Sequence, residues 1–179
     1  MPSHIALLRG VNVGGNRMIS MADLRGFLDD LGLRNGATLL QSGNMVFDGG
    51  RRSSATLEKM LEAEAKKRLG LETEFFVYDA KTWQRIIEDN PLRAEARRDP
   101  SRLLVMFLRD APDAAKVRTL HDGIPGNETF RVVGRQMYTF YPEGMGRAKF
   151  GGAVVEKRLG TRGTGRNWNT VLKLAAATS

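Results

Sequence analysis

Ala37-Thr38-Leu39-Leu40-Gln41-Ser42-Gly43-Asn44-Met45-Val46-Phe47 decides the fold. Two short apolar runs, Ala37 to Leu40 and Met45 to Phe47, flank four turn-forming residues, so the stretch reads as a tight β-hairpin. Outward on its N-terminal side, Leu24, Phe27, Leu28 and Leu31 recur at helical spacing behind Ser20 as N-cap and Asp23 as the acidic third residue. Before that helix, Ile5 to Leu8 reads as a strand. On the other side, Ser53 and Ser54 cap a helix with Leu57, Met60, Leu61, Ala65 and Leu69 on one face, which Gly70 ends. Thr73 to Tyr78 follows as a strand, then a helix opened by Asp79 and stopped by Pro91. The order is β-α-β-β-α-β with a trailing helix.

The same order returns. Leu103 to Leu108 reads as a strand, Pro112 to His121 as a helix, and Thr129 to Val133 with Gln136 to Tyr141 as a hairpin turned by Gly134-Arg135. A helix over Gly152 to Leu159, a strand near Arg162 to Arg166 and a helix from Trp168 to about Ala176 complete it. Asp79-x-x-Thr82 and Asn167-x-x-Thr170 open the two trailing helices alike, each as a cap with Thr in the first turn. Between the halves, Pro91 to Pro100 is charged and short of core residues, as a linker is. The expectation is an α+β protein of two tandem ferredoxin-like subdomains, residues 1–90 and 102–179, joined by a linker over 91–101 and each followed by an extra helix.

The loop after the first strand, Arg9 to Arg17, holds three glycines whose backbone can turn through positive φ and approach a partner closely. Asn16 and Arg17 stand where a Walker loop needs Lys and then Ser or Thr, and Gly-x-Gly-x-x-Gly is absent, so neither nucleotide motif is present. Read alone, the loop is a set of Asn and Gly turns.

With 179 residues and 41% hydrophobic content the chain can bury a real core. It has no long apolar span and no signal-peptide pattern after Met1, which points to a cytoplasmic protein away from membranes. The absence of Cys excludes disulfides, thiolate chemistry and cysteine zinc sites, and neither His4 nor His121 has metal-ligand spacing. No cofactor is called for. The net charge of +8 is uneven: residues 1–90 carry 12 Lys+Arg and 12 Asp+Glu, residues 91–179 carry 16 and 8. From Arg131 onward nine basic residues face only Glu143 and Glu156. Such a field favours phosphates, nucleotides or nucleic acid, although an Arg-rich composition that keeps a protein soluble explains the excess equally well.

In the β-α-β-β-α-β unit the loop after the first strand and the hairpin turn share one end of the sheet. That groups Arg9, Asn12, Gly14, Gly15 and Asn16 with Gln41, Ser42 and Asn44. In the second half, the loop after the hairpin and the end of the last strand share an end, grouping Arg147 and Lys149 with Arg166, Asn167 and Asn169. Helix N-termini favour anions. These thirteen residues are the candidate ligand contacts, in a composite cleft if the halves pack with their polar ends together. Trp168 reads as core rather than as a stacking platform.

Ala6 to Asn16, Met21 to Arg25, Gln41 to Phe47, Tyr141-Pro142-x-Gly144-x-Gly146 and Arg166 to Val171 together resemble a bacterial family, the domain of unknown function sixteen ninety-seven. The resemblance implies a two-subdomain α+β fold like tandem ferredoxin-like units, and it implies no activity and no catalytic residues. The family pattern has Ser before Lys where this chain has Ala148-Lys149.

Three functions fit to different degrees. A binding module for a phosphate-bearing ligand uses the free amides, amide side chains and Arg. An enzyme acting on a phosphorylated small molecule would add Asp23 or Asp48 as base, but no Ser-His-Asp set, paired carboxylates or metal cluster accompanies them. An RNA-recognition sheet face lacks the aromatic signature on its central strands.

Overall fold

The computed structural model describes residues 2–10, 19–40, 43–148 (backbone alone at Arg147) and 150–178. The chain is mixed α+β, with two four-stranded antiparallel sheets. It divides into two compact units, Met1–Arg85 with Lys173–Ser179, and Ile86–Leu172.

In the first unit the elements run β1 (His4–Leu8), α1 (Met21–Asp30), β2 (Arg34–Leu39), β3 (Asn44–Asp48), α2 (Ser54–Leu69) and β4 (Phe75–Asp79), followed by α3 (Ala80–Glu88). The sheet order is β2-β3-β1-β4, and β1 pairs antiparallel with both neighbours, Ala6 lying opposite Met45 and Val77. Strand alternation sends Ala6, Leu8, Met45, Phe47, Phe75 and Val77 to one face, where they pack with Leu24, Phe27 and Leu28 of α1 and Leu57, Leu61 and Ala65 of α2. Ile5, Leu7, Val46, Phe76 and Tyr78 on the opposite face are also buried, which is why these strands read as unbroken apolar runs. Trp83 of α3 meets Tyr78 edge-on at 5.8 Å. The expected caps form: Ser20 Oγ accepts from Asp23 N, Ser53 Oγ accepts from Thr56 N, and Gly70 ends α2 at φ 61. β2 begins earlier than its apolar run suggests, because a bulge between Arg34 and Ala37, with Asn35 at φ 56, carries the pairing back to Arg34 opposite Asp48.

The second unit takes in the end of α3 from Ile86, then α4 (Arg93–Arg98) and a short 3-10 turn (Pro100–Arg102), within the stretch expected as a linker. Leu92 and Ala96, one helical turn apart, are buried there. Asn90 Oδ1 accepts from Leu92 N at 2.8 Å, and the Arg98 guanidinium lies 5.2 Å over the Phe140 ring. Then come β5 (Leu103–Leu108), α5 (Ala114–Asp122), β6 (Thr129–Val133), β7 (Gln136–Phe140), α6 (Gly152–Leu159), β8 (Gly163–Asn167) and α7 (Trp168–Ala177). The order β6-β7-β5-β8 is the first sheet's order over again. Met106, Leu108, Leu120, Phe130, Met137, Phe150, Val155 and Leu159 form its core with Tyr141, whose hydroxyl donates to Phe150 O at 3.0 Å. Burial pushes the Tyr141 phenol up to about 12. Gly163 is required by close approach: a Cβ there would lie 2.8 Å from Phe107 O.

The paired junctions also match. Asp79 Oδ1 accepts from Thr82 N at 2.7 Å and Asn167 Oδ1 from Thr170 N at 2.9 Å, so β4 and β8 pass directly into capped helices.

Candidate functional site

At the C-terminal end of β1, Leu8 N donates to Gly43 O (2.9 Å), Arg9 N to Glu74 O (3.1 Å), and Thr73 Oγ1 to Arg9 O (2.6 Å). The strand end and the hairpin turn therefore do share an end of the sheet. Arg9 is half-buried there. Asn44 is buried, with Nδ2 donating to Leu39 O across the hairpin at 3.1 Å. Asn12, Gly14, Gly15, Asn16, Gln41 and Ser42 lie outside the described residues.

Asp48 ends β3 at the opposite side of the sheet, four residues beyond Asn44 and so roughly 13 Å from it along the strand. Its carboxyl accepts from Gly50 N (3.0 Å) and Ser3 Oγ (3.1 Å), which hold it below the usual carboxylate range. Ser3 Oγ is also 2.8 Å from His4 Nδ1. Here the hydroxyl stands between imidazole and carboxylate, whereas a nucleophilic triad needs the imidazole in the middle. Asp23 stands in the first turn of α1, its backbone N–H on Ser20. Among the described residues no group of three or more His, Asp or Glu is placed to hold a metal ion.

In the second unit β7 and β8 both run antiparallel to β5, and Phe140 and Asn167 pair with Leu103 and Leu104 at its start. The turn after β7 and the end of β8 thus lie at one end. Arg147 contributes its backbone to a short 3-10 turn (Met145–Arg147) there, while its side chain and Lys149 lie outside what is described. Arg166 is buried on β8, donating to Thr164 Oγ1 (2.7 Å) and Gly165 O (2.9 Å), and burial pushes its guanidinium down to about 10. Asn167 caps α7, Asn169 is exposed on its first turn, and Trp168 is buried.

The opposite end of the same sheet, at the end of β5, holds a group of cations that the sequence reading did not select. Leu108 N donates to Arg135 O and Arg109 N to Arg162 O, both at 2.8 Å, the same stitching that Leu8 and Arg9 show in the first unit. Asp110 N donates to Thr161 Oγ1 at 3.1 Å, and Arg135 Nη1 to Arg109 O at 3.3 Å. The residues after β5, those of α6 and those before β8 border a cavity of about 450 Å³ lined by Arg109, Asp110, Glu156, Lys157, Thr161 and Arg162, among others. Glu156 Oε1 accepts from Gly163 N at 3.3 Å. Arg109, Lys157 and Arg162 thus outnumber Asp110 and Glu156 by one around this concavity. The available signal was the position of Arg109 immediately after a strand, as Arg9 follows β1.

A conserved bacterial protein, SP0830 from Streptococcus pneumoniae, has a solved structure similar to this one, with a TM-score of 0.78 over 99% of each chain at 24% sequence identity. At that identity the likeness is one of fold. No curated protein matches the sequence. Residues 1–138 match the family model described as "Protein of unknown function (DUF1697)".

Proposed function

Because the chain belongs to the DUF1697 family of proteins of unknown function, its activity has to be read from its own side chains, and we propose that it binds a phosphate-bearing ligand, a nucleotide or nucleic acid, at the end of β5. The single observation that carries this reading is the convergence of Arg109, Lys157 and Arg162 on one cavity. Arg presents a planar fork of donors that matches phosphate oxygens, and Lys adds a point charge. We also class both units as ferredoxin-like plaits; their shared element order and strand order support this.

Calorimetric titration with inorganic phosphate, adenosine monophosphate and adenosine triphosphate at low and high salt tests the binding. Arg109→Ala and Arg162→Ala should each weaken it about tenfold or more, on the order of 1.5–3 kcal/mol for a hydrogen bond to a charged group. Arg25→Ala, an exposed change on α1, should leave it as it was. Binding that is absent, or indifferent to both cavity substitutions, overturns the reading.

One observation favours a second reading, an enzyme acting on a phosphorylated small molecule: Asp110 lines the same cavity as the cations. A carboxylate in the same cavity as Arg could take a proton from a substrate whose phosphate the Arg holds. Loss of turnover with retained binding in Asp110→Asn would select it.

A further inference from the structure

A second cavity of about 540 Å³ opens between α5 and α6, lined by Lys116, Thr119, Leu120, Val154, Lys157 and Arg158. Lys157 stands in the wall of both cavities. The other cations are held by the helix ends. A Cβ on Gly160, which ends α6, would come within 2.8 Å of Lys116 Nζ, and one on Gly123, which ends α5, within 2.9 Å of Arg158 Nη1. Each helix therefore lays a cation over the other's C-terminus. The macrodipoles account for part of this, as about half an elementary charge at each end. Three cations, Lys116, Lys157 and Arg158, with no carboxylate among the described residues that line this second cavity, exceed what two helix ends require. Among the described residues no ion pair joins Lys116, Lys157 or Arg158 to a carboxylate.

We infer that the partner is the backbone of a single-stranded nucleic acid, laid across both cavities with Lys157 between successive phosphates. This rests on the anion site proposed above and names its ligand. One phosphate needs one cavity, whereas two cavities sharing a lysine suit a repeating anion. Half-buried Val154, with the carbon stems of Lys116 and Arg158, offers apolar surface to a sugar or base between the phosphates, which an inorganic polyphosphate chain has no use for. Among the described residues no aromatic side chain lines either cavity, so the inferred binding uses no stacking platform and is indifferent to sequence. Affinity then comes from counterion release and falls with salt.

Fluorescence anisotropy with labelled oligothymidylates, competed by thymidine monophosphate and by polyphosphate, tests this on the full chain. An oligothymidylate should bind at least about tenfold more tightly than thymidine monophosphate, the size of one charge-assisted contact. The double change Lys116→Ala with Arg158→Ala should remove that gain. It should also lower the salt slope by about 1.4, at roughly 0.7 per phosphate contact on a single strand. Monophosphate binding should be unchanged, and Lys116→Arg with Arg158→Lys should keep the gain; both residues are exposed, and a thermal melt checks folding. An oligomer that binds no better than the monophosphate overturns this inference and leaves the anion site standing. Polyphosphate competing as well as the oligomer at equal phosphate overturns the nucleic-acid assignment. Failure of every phosphate compound to bind removes the anion site and this inference with it.

Discussion

At His4 three influences act on one imidazole. Burial against Phe47, whose ring is stacked 5.9 Å away, lowers its pKa below 6.5, while Asp79 and Asp48 pull the other way without reversing the shift. The unfolded chain takes up this proton before the folded one. Stability from His4 is therefore complete above pH 6.5 and declines as pH falls from there through the lower folded value. Urea midpoints measured across that range should fall with pH, and His4→Gln should flatten the trend. Asp79 acts in a different window: burial opposes ionisation, but the Thr82 amide and hydroxyl outweigh it and hold the carboxyl low. With Asp48 also held low, their contribution is present above the usual 3.8 and lost only as pH drops through the folded values. Asn44 and Arg166 carry another lesson at this scale. A polar residue on a strand looks like a ligand contact in sequence, yet both are buried and hydrogen-bonded to the protein itself. Which face a strand residue occupies follows from the alternation; what covers that face does not.

The edge of β4 shows what a whole element does. Glu62 Oε2 accepts from Phe75 N and Glu58 Oε2 from Val77 N, both at 2.9 Å. Four helical residues rise about 6 Å and two strand residues about 6.6 Å, so one turn of α2 matches one repeat of outward amides. The carboxylates occupy donors that would otherwise template another strand. Glu58→Ala and Glu62→Ala should each cost about 1–3 kcal/mol by chemical denaturation, and together should raise light scattering through edge pairing. In the sequence these glutamates look like a solvated helix face, because nothing local says that a strand edge lies beneath. The hairpins, the Ser20 and Ser53 caps and the Asp79 and Asn167 junctions were legible because each is settled within a few residues. α4 was not, since Leu92 and Ala96 are two apolar residues in a charged stretch. The group of Arg109, Lys157 and Arg162 was hidden for a third reason: it is assembled from three separate segments.

Over the whole molecule, the charge excess of residues 91–179 finds a place in the second unit, where both cation-lined cavities lie. No helix among the described residues is long and apolar enough to cross a membrane. The chain's last helix is divided between the units: Trp168–Leu172 counts with the second and Lys173 onward with the first. Leu174, in the part that counts with the first unit, is fully buried. Leu174→Ala should cost about 2–5 kcal/mol. Hydrogen exchange should show the loss in the amides of β1 and β4 more than in those of β5 and β8.

Asp79 is the last residue of β4 and Ala80 the first of α3; Asn167 and Trp168 repeat the arrangement at α7. Such a seam has no slack. One inserted residue would swing the following helix by about 100° and carry Trp83, or Val171 and Leu174, out of the protein interior. Evolution can exchange side chains at these two joints but cannot change their length, so the spacing from strand to helix should drift more slowly among related chains than the letters that spell it.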